Sequence, residues 1–174
     1  MLYAPTLTPS SAICDNYWMV TNLGYQGTKA YLTVNTNNPD LSTNSGVWQP
    51  NLPITGTYKV EAYIGQESTS TCSGTISNGY SSAAKYRVYY SDGSNIIDTP
   101  IIRNQKSAAG GWLEIGTFLF DAGSTGKVVL KDLNSEANFS RIIFFSAMKF
   151  SLVQTAPPAA FNKVNPADTA NQVS

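Results

Sequence analysis

The chain has 174 residues, of which 42% are hydrophobic and only 13% charged, about half the usual share of roughly 25%. Eleven basic residues balance eleven acidic ones with no long basic run, which excludes electrostatic capture of nucleic acid; the longest apolar stretch, around Ile142 to Phe145, is far too short to insert into a membrane. The complete absence of histidine rules out a Ser-His-Asp triad and the ordinary general base of neutral pH, and it leaves the two cysteines without the partners of a zinc site.

In chain order, residues 1–12 (MLYAPTLTPSSA) are rich in Pro, Ser and Thr and predict a linker. Met1 to Pro5 has neither a charged start nor an apolar run, so a signal peptide is expected to have been removed, or the chain to be a piece of a longer protein. YWMV and KAYLTVN, between Tyr17 and Asn35, are weak strand candidates, followed by an Asn/Pro/Ser-rich loop to Gly46 and a short strand in VWQPNLP (47–53). TGTYKVEAYI (55–64) alternates cleanly, with Tyr58, Val60, Ala62 and Ile64 on the expected core face and Lys59, Glu61 and Tyr63 opposite.

Residues 65–83 predict a long polar loop carrying Cys72. The next strand sets Tyr86, Val88 and Tyr90 against Lys85, Arg87 and Tyr89, and Ser91-Asp92-Gly93-Ser94 turns it into Ile96 to Arg103, where Pro100 marks an edge or a bulge. Trp112 to Phe120 is a long strand that Asp121-Ala122-Gly123-Ser124 turns into Val128 to Leu130. RIIFFSAMKF (141–150) is apolar on both faces, as expected of a central strand. The sum is an all-β, antiparallel two-sheet β-sandwich of jelly-roll type, with about nine strands. Residues 13–155 form that domain, and the Pro-rich 156–174 reads as a linker or the start of a following domain.

Cys14 and Cys72 sit in loop-like surroundings and admit two readings, a redox pair or a structural disulfide. The second would close a loop of roughly 60 residues, for which chain entropy gives about 4 kcal/mol.

Four segments in order, WQPNLPITGTYKVEAYI, AKYRVYYSDGSN, GGWLEIGTFLFDAG and GKVVLKDLNSEAN, with a closing SAMKF, resemble the golvesin / xanthan lyase carbohydrate-binding-like domain family of modular extracellular bacterial proteins. The opening W-x-P-x-L-P-x-x-G-x-Y-x-V pattern is matched by Trp48, Pro50, Leu52, Pro53, Gly56, Tyr58 and Val60. The W-x-x-L-G-x-[FY]-x-F element appears as Trp112, Ile115, Gly116, Phe118 and Phe120, with Ile in place of Leu, and Ala147, Lys149 and Phe150 match the close. The resemblance covers roughly residues 14–152. It implies a galactose-binding-like sandwich, a secreted, cell-surface location and an accessory, carbohydrate-binding role. Neighbouring domains of the same protein and a polysaccharide or cell-wall glycan are the implied partners.

Sugar binding stacks aromatic faces on pyranose C–H groups and sets planar polar groups at the edge. Ten tyrosines and three tryptophans supply the rings. Period-2 counting nominates Tyr63, Tyr89, Arg87 and Glu61 as one outward patch if their strands are neighbours; Trp18, Tyr17, Tyr25 and Tyr80 are rim candidates, while Trp48 and Trp112 are expected in the core. Asp132, Asn134 and Glu136 form a loose acidic loop, a weak calcium candidate without EF-hand spacing, set against a plain solvated loop; otherwise no cofactor is expected. No paired carboxylates suggest glycosidase chemistry, and no enzyme is expected. The rival reading is a structural or adhesive spacer of a surface protein or fibre that contacts protein neighbours. A third is an accessory domain of a peptidoglycan-active enzyme.

Overall fold

The structure is a computed structural model that describes residues 1–9, 14, 17–72 and 74–155. The strands are β1 (Leu2–Tyr3), β2 (Thr6–Thr8), β3 (Met19–Thr21), β4 (Ala30–Val34), β5 (Ser45–Trp48), β6 (Gly56–Ile64) and β7 (Ser70–Thr71). They continue with β8 (Gly74–Thr75), β9 (Ala84–Ser91), β10 (Ile96–Arg103), β11 (Gly111–Phe120), β12 (Lys127–Lys131), β13 (Ile142–Phe145) and β14 (Met148–Thr155). Three short 3-10 turns are the only helical elements among the described residues.

One sheet has the order β1-β14-β6-β11 and the other β10-β9-β12-β5-β2, every ladder antiparallel, with a small β13-β4-β3 sheet beside them and a β7-β8 hairpin in the long polar loop. The fold is therefore the expected all-β sandwich. The fourteen strands among the described residues exceed the expected nine because five are only two or three residues long, too short to show an alternation.

The inner faces meet in one core. From the first sheet come Tyr58, Val60, Phe120 and Phe150, and from the second Trp48, Tyr86, Val88 and Val128, none more than 1% exposed. Strand β6 alternates buried and half-buried along all nine residues, as period 2 requires. Trp48 anchors the centre: its ring stacks on Phe145 at 6.1 Å and its Nε1 donates to the Ser146 carbonyl at 2.7 Å. The Asp92 turn also forms as expected, with Asp92 Oδ1 accepting from the Ser94 and Asn95 amides, and those backbone donors hold its carboxyl below the usual range. Pro100 lies on β10, an edge strand.

Two segments depart from expectation. Leu2–Tyr3 and Thr6–Thr8, inside the stretch expected to be a linker, are strands that extend the two sheets along β14 and β5. RIIFFSAMKF is not one central strand. It breaks at Ser146-Ala147, sending β13 to the small sheet beside β4 and β14 to the first sheet between β1 and β6. All four residues of β13 are buried, so no alternation betrays the break. The tail from 156, expected to be a linker, lies outside the described residues.

Candidate functional site

On the outer face of the first sheet, β6 presents Tyr63 and Glu61. In register on β11 stand Trp112, opposite Tyr63, and Glu114, opposite Glu61; on β14, Lys149 stands opposite Glu61. Tyr25 arrives from the 3-10 turn Tyr25–Gly27, in which Gln26 takes a left-handed φ of 54°. The three rings form a closed cluster, with centroids 5.3 Å apart for Tyr25 and Tyr63, 5.1 Å for Tyr25 and Trp112 and 5.4 Å for Tyr63 and Trp112. Lys149 Nζ sits 4.3 Å from the Trp112 ring centre, a cation–π contact.

Charged groups border the rings. Glu61 pairs with Lys149 at 2.8 Å and with Lys59 at 3.1 Å, and Lys59 reaches Glu114 at 3.3 Å. Burial pushes the Glu61 carboxyl up, but the hydrogen bonds from Lys149 and Lys59 outweigh it and hold the group below its ordinary value. Next to Tyr25, a groove of about 450 Å³ runs past Tyr31 and Tyr3 to Leu2.

The predicted patch does not assemble as one. Strands β6 and β9 lie in different sheets, so Arg87 and Tyr89 occupy the opposite outer face from Tyr63 and Glu61. There Arg87 is paired with Asp98 of β10 at 2.5 Å, and Lys127 lies 4.9 Å from the Tyr89 ring centre. Period 2 reports which face a residue takes, not which sheet its strand joins. Trp18 and Tyr80, expected at a rim, are 0% exposed and belong to the core. Tyr17 does lie at a rim, 62% exposed.

Trp112, expected in the core, is turned outward by a β-bulge. The pairing of β11 with β6 skips Ile115, so counting inward positions back from Phe120 and Phe118 fails beyond that point. Gly116, at φ 152°, marked the bulge in the sequence.

The calcium candidate is also dispersed. Asp132 accepts from Ser42 Oγ and from the Thr43 and Asn44 amides, whereas Asn134 and Glu136 face Ser81 and each other. Donors aimed at those oxygens oppose a cation, and no metal-binding group of three or more Cys, Asp or Glu side chains occurs among the described residues. Cys14 and Cys72 form a disulfide.

A second concavity, of about 560 Å³, opens between the end of β4 at Thr33 and Val34, the β7-β8 hairpin and the loops around 40–44 and 132–139. Tyr17, Leu41 and Phe139 stand at it, with Asp132 among its lining.

A model of the Golvesin C-terminal domain matches residues 9–150. The chain belongs to this family. A search of curated proteins found no match. The golvesin domain's motif residues divide between two tasks: Trp48, Tyr58, Val60, Phe120 and Phe150 fill the core, while Trp112 and Lys149 build the outer face. Among the described residues of the golvesin domain, no helix is long and apolar enough to cross a membrane.

Proposed function

We propose that this golvesin domain is a non-catalytic accessory module of a secreted, cell-surface protein, and that it binds carbohydrate or a cell-surface polymer through Tyr25, Tyr63 and Trp112. One observation carries the reading: three rings from three separate elements converge on one outer sheet face instead of spreading over the surface, and one of them, Tyr25, also lines the neighbouring groove. Rings supply the apolar platform for pyranose C–H faces, and Glu61, Lys149, Lys59 and Glu114 supply hydrogen bonds at its border. The disulfide fits an oxidising, extracellular setting.

The test is a polysaccharide array that includes peptidoglycan, run with Tyr63→Ala, Trp112→Ala and, as an opposite-face control, Tyr89→Ala. The first two should each weaken binding at least about tenfold, roughly 1.4 kcal/mol, with the control unchanged. Binding that survives both would remove the site from this face; no binding to any glycan would overturn the reading.

The rival spacer reading draws on β10, an edge strand whose Ile96 and Ile102 are both exposed. It requires self-association or docking through that edge, which sedimentation of the wild type and of Ile102→Lys would reveal.

A further inference from the structure

Tyr17 and Phe139 are the two exposed aromatic residues among those described, and both line the same 560 Å³ cleft. Each also sits on a left-handed backbone, at φ 59° and 53°, a conformation that bulky residues rarely adopt. Glycine or asparagine would hold such loops with less strain, so large rings at both positions ask for a use beyond folding. Phe139 is 57% exposed and buries too little of its ring to serve as a core anchor.

The other lining groups narrow the ligand. Leu41, Val34 and Ile76 form an aliphatic wall; Thr33, Thr43 and Thr75 contribute hydroxyl-bearing side chains. Among the described residues no lysine or arginine lines the cleft, so they offer no cation to a carboxylate, sulfate or phosphate. Asp132 is 4% exposed and its carboxylate is taken up by Ser42 Oγ and the Thr43 and Asn44 amides, whereas Asp40, exposed at the same cleft, offers a carboxylate as acceptor. A plain hexose would match the rings and hydroxyls but leave the aliphatic wall uncovered. An acetamido substituent supplies a methyl group for that wall and an N–H for an acceptor.

We propose that this cleft is a second ligand site, separate from the aromatic face, and that it takes a neutral sugar unit carrying an acetamido group. Among the described residues the two sites share no lining residue: Tyr25, Tyr3 and Tyr31 line the groove beside the aromatic face, Tyr17 and Phe139 the cleft. A polymer of acetamido sugars would therefore engage one domain at two points and bind more tightly than either site alone.

The experiment titrates N-acetylglucosamine oligomers and, separately, glucose and glucuronic acid oligomers of the same length into the full chain, following backbone amide resonances. The acetamido oligomers should shift the amides around Phe139, Asn44 and Tyr17, with affinity at least about tenfold above that for either competitor. Phe139→Gly should abolish those shifts with the melting temperature unchanged or raised, because it removes the ring together with its backbone strain. A merely structural ring would instead lower the melting temperature. Trp112→Ala should leave the cleft shifts intact, so failure of the aromatic-face site and failure of this one are read separately. Equal binding of glucose oligomers, or no cleft shift at millimolar acetamido sugar, would overturn the proposal.

Discussion

Asn35→Ala is expected to lower the unfolding free energy by about 3 kcal/mol and to disable the cleft while leaving the aromatic face working. Asn35 is fully buried, and its side chain is spent on a single loop. Nδ2 donates to Asn134 Oδ1 at 2.9 Å, to the Ala137 carbonyl at 3.0 Å and to the Glu136 carbonyl at 3.3 Å, while Oδ1 accepts from the Ser140 and Arg141 amides at 3.1 and 2.8 Å. Not all five bonds are lost equally. Asn134 Oδ1 keeps the Glu136 amide, and the Ala137 carbonyl and Ser140 amide keep each other at 3.3 Å. The groups stranded outright are the Arg141 amide and the Glu136 carbonyl, each costing about 1–3 kcal/mol if it stays dry, and truncation adds a small void. Against a total of about 5–15 kcal/mol, that is a large share.

The same loop carries Phe139, which explains the selective effect on the cleft. Asn35→Asp should do worse than alanine, because a carboxylate would face the Asn134 Oδ1 and two backbone carbonyls that now accept from Nδ2. Urea unfolding monitored by tryptophan fluorescence measures the stability, and the two glycan titrations measure the sites. A cost below 1 kcal/mol for the alanine variant would show that water replaces the side chain and that Asn35 does not hold the loop.

Such a residue marks where reading the sequence stops. Strands with one face in the core announce themselves: Tyr58, Val60, Ala62 and Ile64 are all buried, and the Asp92 turn and the edge position of Pro100 follow from local chemistry alone. Pairings between distant segments are not local. Alternation turns Tyr63 and Tyr89 outward, but only the sheet order shows that they point in opposite directions. Trp112, expected in the core, faces outward, and one skipped residue at Ile115 reverses the parity of its half of the strand. The cleft was legible only in part. Tyr17 is a rim candidate in the sequence, but Phe139 lies within a polar run, and its left-handed φ has no compositional signal. Trp18 shows the converse error, since a ring in a loop-like stretch need not be at the surface: it packs edge-on against Phe145 at 5.0 Å.

Removal of the Cys14–Cys72 bond is expected to cost up to about 4 kcal/mol, the chain-entropy value for a cross-link spanning 58 residues, and to lower the melting temperature by roughly 10 °C for a chain of this size. The entropic term is large because the bond closes a long loop, tying Cys14 to the polar loop between β6 and β9 across a separation of 58 residues. The local consequence is more specific. The Cys14 amide donates to the Trp18 carbonyl at 2.8 Å, and Tyr17 directly precedes that core tryptophan, so the disulfide and Trp18 are the two anchors nearest to it. Cutting the bond frees one of those two anchors, and the Tyr17 wall of the cleft should loosen before the sandwich itself unfolds. Tyr25, Tyr63 and Trp112 are fixed by β6, β11 and a separate turn, and glycan binding on that face should survive reduction. A Cys14→Ser/Cys72→Ser variant, compared with the wild type with and without reductant, separates the bond from side effects of the reagent. If melting temperature falls but acetamido-sugar shifts at the cleft persist, Tyr17 is held by Trp18 alone. If neither changes, the disulfide adds nothing to the native state beyond what the two sheets already secure.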